Sequence, residues 1–142
     1  MATISLRKAR TIIRKTMEKG REMDLKPLSV VVLDAGGNVI AFERADNAAP
    51  GRFAIAHGKA YGCVMLGMAG TAQMARAETQ AYFIDAARSA FGGSMIPVPG
   101  GILVKDARGN VMGAVGVTGD TSDNDAIAGQ AGIEAANLVA EI

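Results

Sequence analysis

Apolar and charged positions follow a helical rhythm over residues 4–23. Ile4, Ile12, Ile13, Met17 and Met23 roughly trace one stripe among Lys, Arg and Glu. That spacing predicts an amphipathic helix. Gly20 falls late in the stripe and is expected to loosen or end the helix. Pro27 then breaks the chain. The rhythm changes at PLSVVVLDAGGNVIAFER. Val30 to Leu33 form a continuous apolar run of β-formers, which suggests a strand buried on both sheet faces. Asp34-Ala35-Gly36-Gly37-Asn38 is turn chemistry and Val39 to Arg44 run back, so the segment reads as a hairpin.

The hairpin pattern recurs. DAGGNV (34–39) and DARGNV (106–111) match at five of six positions, 72 residues apart. A second hairpin is therefore expected over Gly101 to Val117. Two copies are too few for a solenoid. Between the hairpins, Pro50 to about Met68 reads as one helix. Thr71 to about Ala90 reads as a second helical region, open to a break in the middle. FGGSMIPVPGG (91–101), with its prolines and glycines, is a loop that has room for a short edge strand. Thr121 or Ser122 can cap a last helix over about 123–141. The order α-β-β-α-α-β-β-α implies an α+β fold. It has a single antiparallel sheet of about five strands flanked by helices, profilin-like in appearance.

Composition narrows this picture. A chain of 142 residues favours one domain, 1–142. A chain of that size buries roughly 70% of the surface its unfolded form exposes, so a core needs no staples. Aromatics are 4% of residues and Trp is absent, so aliphatic side chains and Met must fill the core. One cysteine rules out an internal disulfide framework and any multi-cysteine zinc or iron–sulfur site. It suits a reducing compartment. The N-terminal segment lacks the apolar core of a signal peptide, and no run approaches the ~20 apolar residues of a membrane span. A cytoplasmic protein with no membrane partner is the expectation.

The net charge of +1 conceals an asymmetry: residues 1–21 carry seven Lys/Arg and one acid, and the remainder is acidic. No aromatics interleave with the basic residues, which argues against nucleic acid. A solvated helix face is the simplest account. A subunit interface that pairs the opposite charges is the alternative.

The chemistry-bearing residues concentrate in IAHGKAYGC (55–63). On a helix, residues four apart share a face. His57, Tyr61 and Met65 line up, with Met68 nearby. Lys59 and Cys63 lie on a nearly opposite face. Ala54, Gly58 and Gly62 form a stripe of small residues that admits another backbone. His57 and Tyr61 are candidates for haem ligation or for acid/base work, weighed against a helix surface with polar tips. Lys59 is a candidate general base if burial lowers its pKa, or an anion anchor if it does not; a solvated charge is the plain account. Cys63 reads as a small core hydrophobe. Arg44 suits a carboxylate or propionate. Asp46 can orient it, or Asp46 and Asn47 can cap the following helix. Asp123 and Asp125 suit the dipole of the last helix. Gly113, Gly116 and Gly119 fit neither a dinucleotide fingerprint nor a P-loop. A single histidine excludes a two-histidine metal site within the chain.

Taken together, SVVVLDAGGNVIAFERAD (29–46), IAHGKAYG (55–62), PGGILVKDARGNVMGAVGVTGD (99–120) and DNDAIAGQAG (123–132) resemble the GlcG/HbpS-type (DUF336-like) family, also seen as the C-terminal part of PduO-type proteins. The resemblance spans nearly the whole chain. It implies an antiparallel sheet flanked by helices, a homo-oligomer, and haem binding or degradation, with catabolic lyases or isomerases among related proteins. Asp34, Arg44, Lys59, Gly100, Gly101 and Asp125 match the family pattern. Arg44, Asp46, Gly100, Gly101 and Asp125 are then ligand-binding candidates. Many relatives have a proline soon after the paired glycines, where this chain has Ile102-Leu103, and GVSG is GVTG here at Thr118. Three readings stay open: a haem protein with His57 or Tyr61 as ligand, a cofactor-free lyase or isomerase using Lys59, His57 and Tyr61, and a non-catalytic subunit that binds a small molecule.

Overall fold

A computed structural model describes residues 3–142. Its elements run α1 (Leu6–Glu22), β1 (Ser29–Asp34), β2 (Val39–Arg44), α2 (Arg52–Leu66), α3 (Gly70–Thr79), α4 (Ala81–Ala90), β3 (Gly101–Lys105), β4 (Val111–Thr118), α5 (Ser122–Ala135) and β5 (Val139–Glu141). The strands form one antiparallel sheet in the order β2-β1-β4-β3-β5. The α+β architecture matches the expectation from the hydrophobic pattern.

Alternation along the strands divides the interior. Val30, Val32, Ile102, Val104, Val115 and Val117 point to one face, where Ile12 and Ile13 of α1 and Ala128 and Ile133 of α5 cover them. Val31, Leu33, Leu103 and Ala114 point to the other, against Ala56, Ala60 and Cys63 of α2. β1 and β4 are therefore buried on both faces, as their unbroken apolar runs require. A satellite cluster of Ile84, Ala87 and Met95 joins α3 and α4 to the loop before β3.

The two turns share one construction. Asp34 Oδ1 accepts from the backbone N–H groups of Gly36 and Asn38, and Asp106 Oδ1 accepts from those of Arg108 and Asn110. These bonds hold both carboxyls below the usual aspartate range, with Asn38 and Asn110 as the leading partners.

Two boundaries differ from the sequence expectation. Gly20 does not end α1: it is buried, and the side chain of Leu28 packs where a side chain at 20 would stand. The break that the sequence left open in the second helical region is present, at Gln80, whose φ of −139° is not helical. The last helix stops at Ala135 rather than continuing to about 141. Asn137 takes a φ of +60°, and Val139–Glu141 then pair with β3 as the fifth strand. The loop 91–101 supplies no strand; the edge beside β3 belongs to the C-terminal segment.

α2 lies unusually close to the sheet. A methyl group at Gly101 would stand 2.5 Å from the Lys59 carbonyl oxygen, and one at Gly116 would collide with the Ala56 carbonyl oxygen. Gly116→Ala is expected to destabilise the protein by about 1–3 kcal/mol or more, because the helix must lift from the sheet. Urea unfolding of the variant against the parent protein measures it.

Candidate functional site

The close seat of α2 sorts its side chains onto three faces. Lys59 is driven inward and is 3% exposed. Its Nζ donates to the Val117 carbonyl at 2.9 Å and to Asp125 Oδ2 at 3.2 Å. Asp125, 1% exposed, uses its other oxygen to accept from the Asp120 N–H at 2.9 Å. Gly100 leaves room for this ammonium. Its φ is +103°, and a side chain there would begin 2.8 Å from Nζ. Lys59 comes from the helix on one face of the sheet and Asp125 from a helix on the other, so their ion pair ties the layers past the end of β4. Burial pushes the Lys59 pKa down, and the nearby Asp125 partly offsets this. Burial likewise raises Asp125, with Lys59 opposing. Beside the pair, Arg52 Nη1 donates to Thr118 Oγ1 at 2.7 Å.

The outward face of α2 carries an aromatic ladder. The Phe53 and His57 ring centroids are 5.7 Å apart, and those of His57 and Tyr61 are 5.2 Å apart and stacked. Phe42 of β2 meets Phe53 edge-on at 4.8 Å. Tyr61 and Met65 pack over Gly37 in the first hairpin turn. Phe53 remains 42% exposed, so that end of the ladder meets solvent, while Phe42, His57 and Tyr61 are half-buried.

The third face is the small-residue stripe, and it receives a backbone as expected. Ile96 and Met95 pack on Gly58 and Gly62, and the Ile96 N–H donates to the Gly58 carbonyl at 3.1 Å. This docking brings Ser94 beside the histidine: His57 Nδ1 and Ser94 Oγ are 2.7 Å apart. Among the described residues Nε2 makes no hydrogen bond. Burial lowers the His57 pKa and so favours the neutral imidazole.

The residues singled out from sequence therefore occupy three places. His57 and Tyr61 share the aromatic ladder. Lys59, Asp125, Gly100 and Gly101 meet at the buried pair. Arg44 and Asp46 lie at the exposed end of β2, along a groove toward α1. Lys59 and Tyr61 do not meet. Asp46 and Asn47 do not cap α2, whose N-cap is Gly51; Asn47 instead makes a turn at φ +70°. Cys63 is a core residue. Its thiol donates to the Lys59 carbonyl, and burial pushes its pKa up to about 12. Phe42, Phe53, Ser94 and Arg52 went unnoticed in the sequence. Phe53 was findable, since it stands one helical turn before His57. Ser94 was not, because nothing local links it to residue 57. Among the described residues, no group of three or more His, Cys, Asp or Glu side chains is placed to hold a metal ion. No helix is long and apolar enough to cross a membrane.

Removing one partner of the buried pair leaves an uncompensated charge. Lys59→Met and Asp125→Asn are each expected to cost about 3–5 kcal/mol, and the double substitution much less than their sum. A double-mutant cycle by chemical denaturation reads this coupling.

Comparison with solved structures gives the same architecture. The chain superposes on the PduOC:haem complex with a TM-score of 0.85 at 21% identity, covering 96% of this chain and 97% of that one. It matches the Klebsiella pneumoniae protein ORFY, of family DUF336, with a TM-score of 0.82 at 25% identity, covering 96% and 92%. A doubly substituted form of Streptomyces reticuli HbpS gives 0.79 at 24% identity, covering 94% and 87%. No curated protein matches the sequence. Residues 4–134 match the family described as haem degrading protein HbpS-like, and the chain belongs to that HbpS-like family.

Proposed function

We propose that the chain binds haem on the aromatic face of α2, where His57 Nε2 would hold the iron. The observation that carries this is the contact between His57 Nδ1 and Ser94, which leaves Nε2 as the ring nitrogen with no partner among the described residues. In the ligating tautomer Nδ1–H donates to Ser94 Oγ. That is the usual outer support of a metal-bound imidazole. The residues fit a flat apolar group: Phe53, Tyr61 and Met65 offer apolar contact around the imidazole. Haem, when bound, supplies an iron centre for oxygen or electron chemistry. The chain's own residues orient the imidazole, keep it neutral through burial and shield one side from water. Haem degradation is the further activity that the family description supports. A cytoplasmic homo-oligomer completes the reading, supported by the single buried thiol and by exposed Tyr82, Val139 and Ile142.

A second reading is a cofactor-free lyase or isomerase with Lys59 as base, supported by the burial that lowers its pKa. It ranks below the first because Asp125 and the Val117 carbonyl already engage Nζ, while His57 and Tyr61 stand on another face. Turnover of an identified substrate that survives Lys59→Ala would remove it.

Haemin titration is expected to give a saturable one-to-one Soret shift. His57→Ala abolishes or displaces the shift, and Ser94→Ala weakens affinity roughly 10–100-fold. Spectra unchanged in both His57→Ala and Tyr61→Phe would place the ligand elsewhere. Because the folded pKa of His57 lies below its ordinary 6.5, the neutral ring persists at pH 6.5. Haemin affinity should hold there and decline at lower pH, as the proton competes for the ring. The same sign applies to stability: what the neutral, packed imidazole contributes is present above 6.5 and is lost as pH falls through the lower folded pKa.

A further inference from the structure

An open groove of about 740 Å3 runs between α1 and the end of β2. One wall is a helix stripe: Arg10, Arg14, Met17 and Arg21 recur at intervals of four, three and four residues. The other wall is Glu43 to Asp46. Glu43 pairs in register with Val30, whose side chain packs in the core with Ile12 and Ile13 of α1, so Glu43 starts out on the α1 side of the sheet.

The charges in this groove are not satisfied within the chain. Three guanidiniums of α1 stand opposite Glu43 and Asp46, an excess of one positive charge; Arg44 lines the rim, its side chain leaving β2 on the side opposite Glu43. Among the described residues, Arg10, Arg21 and Arg44 form no ion pair within 4.0 Å, and neither do Glu43 and Asp46. Arg14 reaches only Glu18, at 3.7 Å, and both side chains are exposed. Elsewhere on α1, Lys15 pairs with Glu18 and Lys19 with Glu22, while Arg7 and Lys8 form no ion pair among the described residues. Like charges one helical turn apart destabilise a helix, so Arg10 and Arg14 side by side work against α1 when nothing lies between them. The volume falls within the range of small-molecule pockets, roughly 300–1,000 Å3. Guanidinium forks suit carboxylate and phosphate oxygens, and Met17 adds an apolar patch.

We propose that this groove binds a small polyanion carrying two or more phosphate or carboxylate groups. The site is independent of the aromatic face of α2, because α1 and α2 cover opposite faces of the sheet. Pyrophosphate and citrate, titrated separately into the full chain by calorimetry at low salt, distinguish the phosphate and carboxylate forms of the ligand. Saturable binding of at least one is expected. It should weaken roughly tenfold or more in Arg10→Ala and in Arg21→Ala, the loss of about one charge-assisted hydrogen bond. Lys8→Ala, a basic residue of α1 outside the groove, should leave it unchanged. Both groove arginines are exposed, so the variants are expected to fold, and circular dichroism checks that. Three outcomes overturn the proposal: no saturable binding of either anion, equal weakening in Lys8→Ala, or binding that vanishes as the protein self-associates, which would mean that a second copy covers the groove.

Discussion

The architecture depends on how closely α2 lies against β3 and β4. Glycines at 101 and 116 leave the sheet without side chains where the helix backbone passes, and Ala56 and Ala60 complete the contact from the helix side. A helix at ordinary distance would leave Lys59 in a gap that water can enter. Here the lysine is sealed in, and it survives burial because Asp125 and the Val117 carbonyl stand within reach. Close packing thus creates the need for the ion pair, and the ion pair locks the two layers that the packing brings together.

The same seat decides which groups of α2 are available for chemistry. Rotating one residue's worth around the helix separates the buried ammonium of Lys59 from the stripe that receives loop 94–98, and that stripe from the aromatic ladder. The loop is held by backbone contact at Gly58, and through this it places Ser94 on the imidazole. A packing feature on one side of the helix therefore sets the orientation of the ring on another. Burial costs the charged forms of His57 and Lys59 alike, but only Lys59 has a counter-charge to retain its proton.

Much of the fold was legible because its signals are local. The turns at Asp34 and Asp106 are read from their own residues, since each aspartate caps backbone groups within four positions. The amphipathic stripe of α1 and the apolar runs of β1 and β4 carry their periods in sequence. The end of the last helix is itself a local signal that the periodicity overrode: Asn137 takes the left-handed position and the N–H groups of Asn137 and Leu138 cap the carbonyls of Glu134 and Ile133, whereas the strand that follows exists only through its pairing with β3.

For the candidate site the division is sharper. The helical spacing alone established that His57 and Tyr61 share a face and that Lys59 does not, and the stripe of Gly58 and Gly62 announced a close neighbour. Sequence could not say that Asp125, 66 residues away, would neutralise Lys59, or that Ser94 would hold His57. It could not say that the arginines of α1 would line one groove with Arg44. Local periodicity sets which direction a side chain leaves its own element. What stands in that direction is settled only when distant elements pack, because burial and partnership are properties of the assembled layers.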